Sequence, residues 1–371
     1  MNKAATNKEV RINNQKNIVN TLFRYGPMTK QELANRLGLS LPTVSVINKS
    51  LAAKGLVATG EKLESTGGRP PSHIALVFDA RLSVGVDIST NHVRIVLVNL
   101  GPMIVSSRKH RLLYHDSIEY WQAVKTIVSN FIADNQVDES RLLGIGFSVQ
   151  SPIISGHAVS TSLNSITMSE SDQSNMTKVF GSNAEIHNDA KMASLAQVWG
   201  AGEEEDVVYL MLSSGVGGAI ITDHHLLRGD SKNAEFGHMI VQDDGRLCNC
   251  GQRGCLGAYC SSRALQEHSG VSLDEFFDGL DAGNSQYRAL WDEYLHMLAL
   301  AVSNLYLIFD TEIIVGGEMS PYISRHLADL RERVSRRNPF GGHGDYVRIG
   351  IYGEFDSAFG AALIHNDRFL S

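Results

Sequence analysis

The sequence predicts an α/β protein in two unequal parts. A small helix-turn-helix head with a β-hairpin wing leads into a larger two-lobed α/β body that carries a cysteine-rich knuckle. Three observations predict this. Charge is split: residues 1–73 hold eleven Lys/Arg and four Glu, a net of +7, while the remainder is at −14. Helical spacing fills the first fifty residues, whereas from residue 82 apolar strands alternate with helical stretches. All four cysteines, Cys248, Cys250, Cys255 and Cys260, fall within one short stretch.

At 371 residues the chain is long enough for two or three domains with ample core. The sequence contains no apolar run of about 18 residues, so no membrane span is expected. Met-Asn-Lys-Ala-Ala-Thr-Asn-Lys-Glu at the start lacks the apolar centre of a signal peptide. Four clustered cysteines in a chain of this size do not make a disulfide scaffold. The expected location is the cytoplasm.

In the head, Ile18, Leu22 and Phe23 recur at helical spacing until Gly26-Pro27 ends the helix. Thr29-Lys-Gln-Glu32 is a capping box that opens a second helix. Gly38-Leu-Ser40 makes the turn. Ser40 caps a third helix, which tolerates Pro42 in its first turn because that N–H has no helical partner anyway. Val44, Ile47 and Leu51 form its buried stripe, leaving Thr43, Ser45, Asn48 and Lys49 expected on the outer face. Two helices across a tight turn read as helix-turn-helix, with the third helix suited to the major groove of double-stranded DNA. The strands 55–58 and 74–78 flank a polar loop. Within that loop Gly68-Arg69-Pro70 carries a cation suited to a narrow minor groove. The expected DNA contacts are Ser40, Thr43, Ser45, Asn48, Lys49 and Arg69.

In the body, strands are expected at 82–87, 93–99, 142–149, 207–212, 216–222, 312–317 and 346–351. Helices are expected at 117–134, 287–309 and 356–366, with another opened by Pro321. A strand near 184 runs through Asn188-Asp189 into a helix of small residues. The expected boundaries are a head at 1–78, a first lobe at 79–188 completed by a C-terminal helix at 355–371, and a second lobe at 189–354.

Three thiolates and one imidazole satisfy a closed tetrahedral zinc site. His238 lies ten residues before Cys248, so His238, Cys248, Cys250 and Cys255 are the expected ligands, with Cys260 the alternative to His238. Gly251 and Gly254 permit the tight backbone that such a knuckle needs. Four protein ligands leave no open position, so the zinc is expected to be structural.

The run Gly-His, about ten residues, then Cys-x-Cys-Gly-x-x-Gly-Cys resembles the signature of the ROK family of repressors and sugar kinases. The likeness extends from Asn14 to the end of the chain and includes the Gly-Leu-Ser turn and the Gly-Arg-Pro wing. It implies a ribonuclease H-like (actin-like) body with its ligand in the cleft. It also implies sugar contacts from Asn188, Asp189, Glu235 and His238, with Asn164 as a further match. In kinases of the family the aspartate at Asp189 is the catalytic base.

The sequence departs from the family at informative places. The first phosphate loop, Asp-x-Gly-x-Thr in the family, reads Asp87-Ile-Ser89-Thr-Asn91 here. Side chains at Ser89 and Asn91 hinder close backbone approach to phosphate. The second loop, Ser213-Ser-Gly-Val-Gly-Gly-Ala219, keeps most of its glycines, and Val315-Gly-Gly317 is retained. Gly257 replaces a family glutamate that contacts sugar, and Ala234 replaces a family glycine.

No catalytic residue is expected. The resemblance implies a transcriptional regulator, most plainly a repressor of sugar-uptake or sugar-catabolism genes released from its operator by a sugar. The alternatives are a sugar kinase with a DNA-binding head and a regulator controlled by a protein partner. A homodimer or homotetramer is expected, because one winged head makes too few contacts for specific affinity.

Overall fold

A computed structural model describes residues 7–62, 72–151, 153–154, 157–158, 170–181, 184–199, 206–222, 225–227 and 233–371. The head contains α1 (Asn7–Tyr25), α2 (Lys30–Leu37), α3 (Leu41–Ala53), β1 (Val57–Lys62) and β2 (Ser72–Leu76). Thr29 and Glu32 form the reciprocal capping box of α2, and Gly38 ends that helix with φ 63°. β1 and β2 pair antiparallel, and a bridge from Met28 to Ile74 adds a short third strand. Ile18, Leu22, Leu33, Val44, Ile47, Leu51 and Ile74 form the core of this winged fold.

The body begins with β3 (Leu82–Ile88), β4 (His92–Asn99) and β5 (Ile104–Arg111), an antiparallel meander. Next come α4 (Ile118–Asp134), β6 (Leu142–Val149), the short pair β7 (Ile153–Ile154) and β8 (His157–Ala158), α5 (Glu170–Phe180), β9 (Glu185–Asn188) and α6 (Asp189–Val198). The second half repeats the plan with β10 (Val207–Leu212), β11 (Val216–Thr222) and β12 (His225–Leu226). The helices α7 (Gly257–Cys260), α8 (Ser262–Ser269), α9 (Leu273–Asp281) and α10 (Ser285–Phe309) follow. Then β13 (Glu312–Gly316), α11 (Ser320–Arg325), α12 (Leu327–Ser335), β14 (Val347–Ile349) and α13 (Asp356–Leu370) close the chain.

The two five-stranded sheets have one topology, β5-β4-β3-β6-β9 and β12-β11-β10-β13-β14. In each, three antiparallel strands are followed by two parallel ones. Crossover helices supply the parallel strands, as connections of this kind require. The sequence pattern does not announce β5, whose Ser106-Ser-Arg-Lys-His-Arg111 is polar on both faces. It is an edge strand, and charged side chains guard such edges.

Between the sheets lie α6 and α13, packed on each other. α13 rests on β3, β4 and β6, and α6 rests on β10 and β11. Backbones approach closely in this layer. A Cβ on Gly85 would lie 1.7 Å from the Ala358 carbonyl oxygen, and one on Gly360 would lie 1.8 Å from that of Met192. Small residues on α6 (Ala190, Ala193, Ala196) and α13 (Ala358, Ala361, Ala362) complete this layer.

The same pair reaches the head. Leu370, at the end of α13, is 4 % exposed and belongs to the head's apolar core, with Phe369 and Trp199 packed against it. Asn20 of α1 donates through Nδ2 to the Leu370 carbonyl oxygen at 3.1 Å.

Candidate functional site

The cysteine-rich stretch folds back on itself. Ile240 bridges Cys255 and Leu247 bridges Arg253, while Cys248 N–H donates to the Gln252 carbonyl. Gly254 makes this possible: it has φ 79°, and a Cβ there would sit 1.7 Å from the Gln242 carbonyl oxygen. The ligand atoms of His238, Cys248, Cys250 and Cys255 all lie within 4.8 Å of one another. Cys250 and Cys255 sulfurs are 3.7 Å apart, and Cys248 Sγ is 4.0 Å from His238 Nδ1. Zn–S bonds of about 2.3 Å in a tetrahedron place sulfurs about 3.8 Å apart, so the donor set fits the ion. Cys260 lies elsewhere. Its sulfur is buried against the Tyr294 carbonyl at 3.6 Å, within the core around α10.

Beside the knuckle lies an open cleft, about 1120 Å³ including its solvent mouth, lined by residues of both halves of the body. Asn188, Asp189, Glu235 and His238 all line it, as do Gly257, Arg263 and His268. The cleft therefore gathers all four sequence-selected sugar positions, whereas Asn164 lies outside the described residues. Asn188 is also the N-cap of α6: its Oδ1 accepts from Lys191 N–H at 3.0 Å and its Nδ2 donates to the Ser151 carbonyl at 3.0 Å. Asp189 opens α6, and its Oδ1 accepts from Ala190 N–H at 2.8 Å. Burial, then the nearby Asp87 carboxylate, pushes the Asp189 carboxyl well above its usual range. Burial likewise raises Glu235, against the pull of His238 and Lys191. Ala234, next to Glu235, sits at φ 61°, a left-handed conformation that suits glycine and strains alanine.

Across the cleft Gln150 Nε2 donates to Ser214 Oγ at 2.8 Å, joining the end of β6 to the β10–β11 turn. Beyond this bridge lies a second chamber, lined by Asp87, Ser89, Asn91, Arg94, Glu318, Glu354 and Asp356 among others. Arg94 of β4 fills its floor, its side chain 9 % exposed. It donates to Asp87 Oδ2 at 3.3 Å, to Ser89 Oγ at 3.2 Å and to Glu354 Oε2 at 3.2 Å. Burial alone would raise the Glu354 carboxyl, but hydrogen bonds from Lys109 and Arg94 outweigh it and hold the group low. Asp356, at the start of α13, accepts from Tyr209 Oη at 2.5 Å and from Gln197 Nε2 at 3.0 Å; burial still pushes it up to about 6. Sequence reasoning passed over Arg94. The available signal was a lone charge within the apolar run Val93-Arg-Ile-Val-Leu97, since a buried guanidinium needs partners.

On the head, Ser40 Oγ caps α3 by accepting from Thr43 N–H at 3.3 Å, and Lys49 is exposed. Thr43 and Ser45 are half-buried. Asn48 corrects the sequence reading: it is 9 % exposed, and its Oδ1 is buried with no partner among the described residues. The helical period turns it toward the core edge beside Val44 and Leu51. The outer face presents Val46 instead, 57 % exposed, which the sequence reading did not select. Arg69 lies outside the described residues.

A winged helix-turn-helix joined to a two-lobed sugar-kinase-like body with a Cys₃His knuckle defines the class. Residues 83–368 match the ROK family and residues 13–58 a winged helix-turn-helix DNA-binding family; the chain belongs to the ROK family. It is 30 % identical over 258 residues to the xylose repressor of Bacillus subtilis (strain 168), covering 68 % of this chain and 66 % of that repressor. With the xylose repressor of Bacillus spizizenii it shares 28 % identity over 338 residues, 87 % of each chain. A solved ROK family transcriptional regulator, a homolog of E. coli MLC protein, superposes with a TM-score of 0.72 at 16 % identity, over 97 % of this chain and 96 % of that one. Among the described residues no helix is long and apolar enough to cross a membrane.

Proposed function

We propose that this protein is a sugar-responsive transcriptional repressor. The head binds operator DNA, and a sugar in the cleft sets its affinity. The observation that carries this reading is the α6–α13 pair. Both helices begin at ligand chambers, α6 with Asn188-Asp189 and α13 with Asp356-Ser357, and both end at the head, with Trp199 and Leu370. A sugar that favours one arrangement of the two sheets moves this pair, and with it the head. Such a ligand shifts the equilibrium only by its differential affinity, typically about 1–3 kcal/mol. The xylose repressor relatives support the same reading.

Asn188, Asp189, Glu235 and His238 are our assigned sugar contacts. Asn188 then has a double duty, since a ligand on its amide also touches the cap of α6. We assign the Cys₃His cluster to a structural Zn2+ that holds the loop bearing Glu235 and His238. For DNA we assign Ser40, Thr43, Ser45, Lys49 and Arg69, and add Val46, whose exposed methyls suit a thymine methyl. Asn48 stays in the set for its unpartnered Oδ1, which binding can engage only if its edge of α3 is turned to the groove. We take the head to end near residue 78 and the first lobe at Asn188, and the protein to act as a homo-oligomer in the cytoplasm.

Electrostatics weigh against the kinase reading. A transferred phosphoryl group needs free cations or amide donors. In the chamber next to Asp189 the guanidinium of Arg94 is already engaged by Asp87 and Glu354. The deciding experiment is binding to the protein's own upstream DNA at fixed salt, titrated with a panel of sugars, because phosphate contacts make affinity steeply salt-dependent. Release by one sugar is the expected outcome. DNA binding that no sugar reverses points to a protein effector, and ATP turnover in a coupled ADP-release assay would restore the kinase.

A further inference from the structure

The second chamber is a feature that the repressor reading leaves unused. It adjoins the sugar cleft, with Gln150, Asp189 and Met211 lining both spaces. A sugar held at Asp189 and Glu235 therefore projects any substituent on its Asp189 side into that chamber. We propose that the chamber belongs to the effector site and selects by charge and length: it receives the second ring of an uncharged glycoside and rejects a phosphorylated sugar. This rests on the sugar-effector reading above.

Charge argues for the selection. Glu318 and Glu354 face the chamber together with the buried carboxyls of Asp87, Asp189 and Asp356, against a single guanidinium from Arg94; burial pushes the three aspartates up, so the repulsion comes first from the two glutamates. That guanidinium is spoken for by Asp87 and Glu354, and Lys109 is taken up by Glu354 at 2.7 Å. His92 adds no compensating charge, because burial and then Lys109 lower its pKa from an already near-neutral value. A phosphate placed here meets carboxylates without a free cation. A sugar ring meets the opposite situation, since carboxyl oxygens accept from hydroxyls whether or not the group is ionised.

Geometry argues for the length. The wall carries neutral donors and acceptors, among them Ser214, Ser262, Gln266 and Asn91. Ser262 Oγ donates to Glu318 at 2.7 Å, which holds that carboxylate at the chamber wall. The Gln150–Ser214 pair stands at the passage between the two spaces and exchanges two hydrogen bonds, at 2.8 and 3.0 Å. Neither partner is charged, so a glycosidic oxygen and its neighbouring hydroxyls can take over these bonds without stranding an ion. The free space beyond the passage, about 910 Å³ including its open mouth, leaves room for a further ring.

The test is calorimetry on the full-length protein with three sets of probes: D-xylose and D-glucose; α- and β-linked disaccharides of each; and glucose 6-phosphate. The expected result is at least one disaccharide bound tenfold or more tighter than its own monosaccharide, and the phosphate bound a hundredfold or more weaker than glucose. Gln266→Trp, on the half-exposed face of α8, fills the chamber. It should abolish the disaccharide advantage while monosaccharide affinity stays as in the parent, which also certifies the fold. Glu318→Gln keeps the acceptor for Ser262 and should narrow the phosphate penalty. Equal affinity for monosaccharide and disaccharide overturns the chamber assignment alone, as does tighter binding of the phosphate. Absence of binding by every probe, with DNA binding intact, overturns the sugar-effector reading together with it.

Discussion

If α6 and α13 carry the signal, cutting their hold on the head should separate sugar binding from DNA release. The perturbation is Leu370→Ala. Leu370 is 4 % exposed and lies among Ile18, Leu22, Leu51 and Ile74 of the head. Truncating a leucine in such a setting costs about 2–5 kcal/mol. Coupling between effector and operator is typically about 1–3 kcal/mol, or roughly 5–150-fold in affinity. The lost contact is thus at least as large as the signal it would transmit. Anisotropy of labelled upstream DNA, with and without saturating sugar at fixed salt, reads the coupling, and calorimetry reads sugar affinity. In the parent protein, DNA should weaken sugar binding by the same factor by which sugar weakens DNA binding, because the linkage is reciprocal. In Leu370→Ala both factors should approach one, while sugar affinity in the absence of DNA is unchanged. Trp199→Ala cuts the α6 end of the same contact and should give the same result. A variant that still binds DNA and keeps the full sugar response refutes the relay.

Three further outcomes are expected. Chelation, or Cys248→Ser, should remove about one Zn2+ per chain by elemental analysis and weaken the sugar response, while the head, distant from the knuckle, keeps its DNA affinity; intact sugar release after complete metal loss counts against the structural role. Ala234→Gly should raise stability to denaturant by about 1–2 kcal/mol, the usual cost of holding a non-glycine residue in the left-handed region; no gain means the loop relaxes that strain. Asp356 is raised to about 6 by burial from an ordinary 3.8, so the folded state binds the extra proton. Its contribution therefore falls as pH rises from about 4 to 6, by about 3 kcal/mol in all, and Asp356→Asn should flatten that slope in a series of denaturant titrations.

Local chemistry made part of this molecule legible. The Thr29–Glu32 box, the Ser40 cap and the cysteine spacing each act within a few residues, and each is found where it was read. Ser272-Leu-Asp-Glu275 is an equally plain capping box, and it would have revealed α9 had it been weighed. What escaped depends on distant partners. Arg94 is tolerable in an apolar strand only because Glu354, 260 positions later, meets it. Asn48 has the composition of a groove-facing residue, yet the packing of α3 turns it toward the core edge. The docking of Leu370 into the head joins the two ends of the chain, and no local pattern encodes that contact.

If the protein is a regulator and not a kinase, Arg94 offers a physical reason for keeping a sugar cleft without phosphoryl transfer. Asp189 and Glu235 need only a neutral or ionised oxygen at the right place to hold a hydroxyl, so their elevated pKa values do no harm to binding. Transfer asks for more: a base that ionises near working pH and a cationic cradle for the phosphate. The Asp87–Arg94–Glu354 cluster engages the available cation internally, and Asp87 adds to burial in raising the Asp189 carboxyl. Removing one member would not simply restore the cradle. Arg94→Met would strand the Asp87 carboxylate in a buried site, where an unpaired charge costs about 3–5 kcal/mol, and would leave the phosphate with no cation at all.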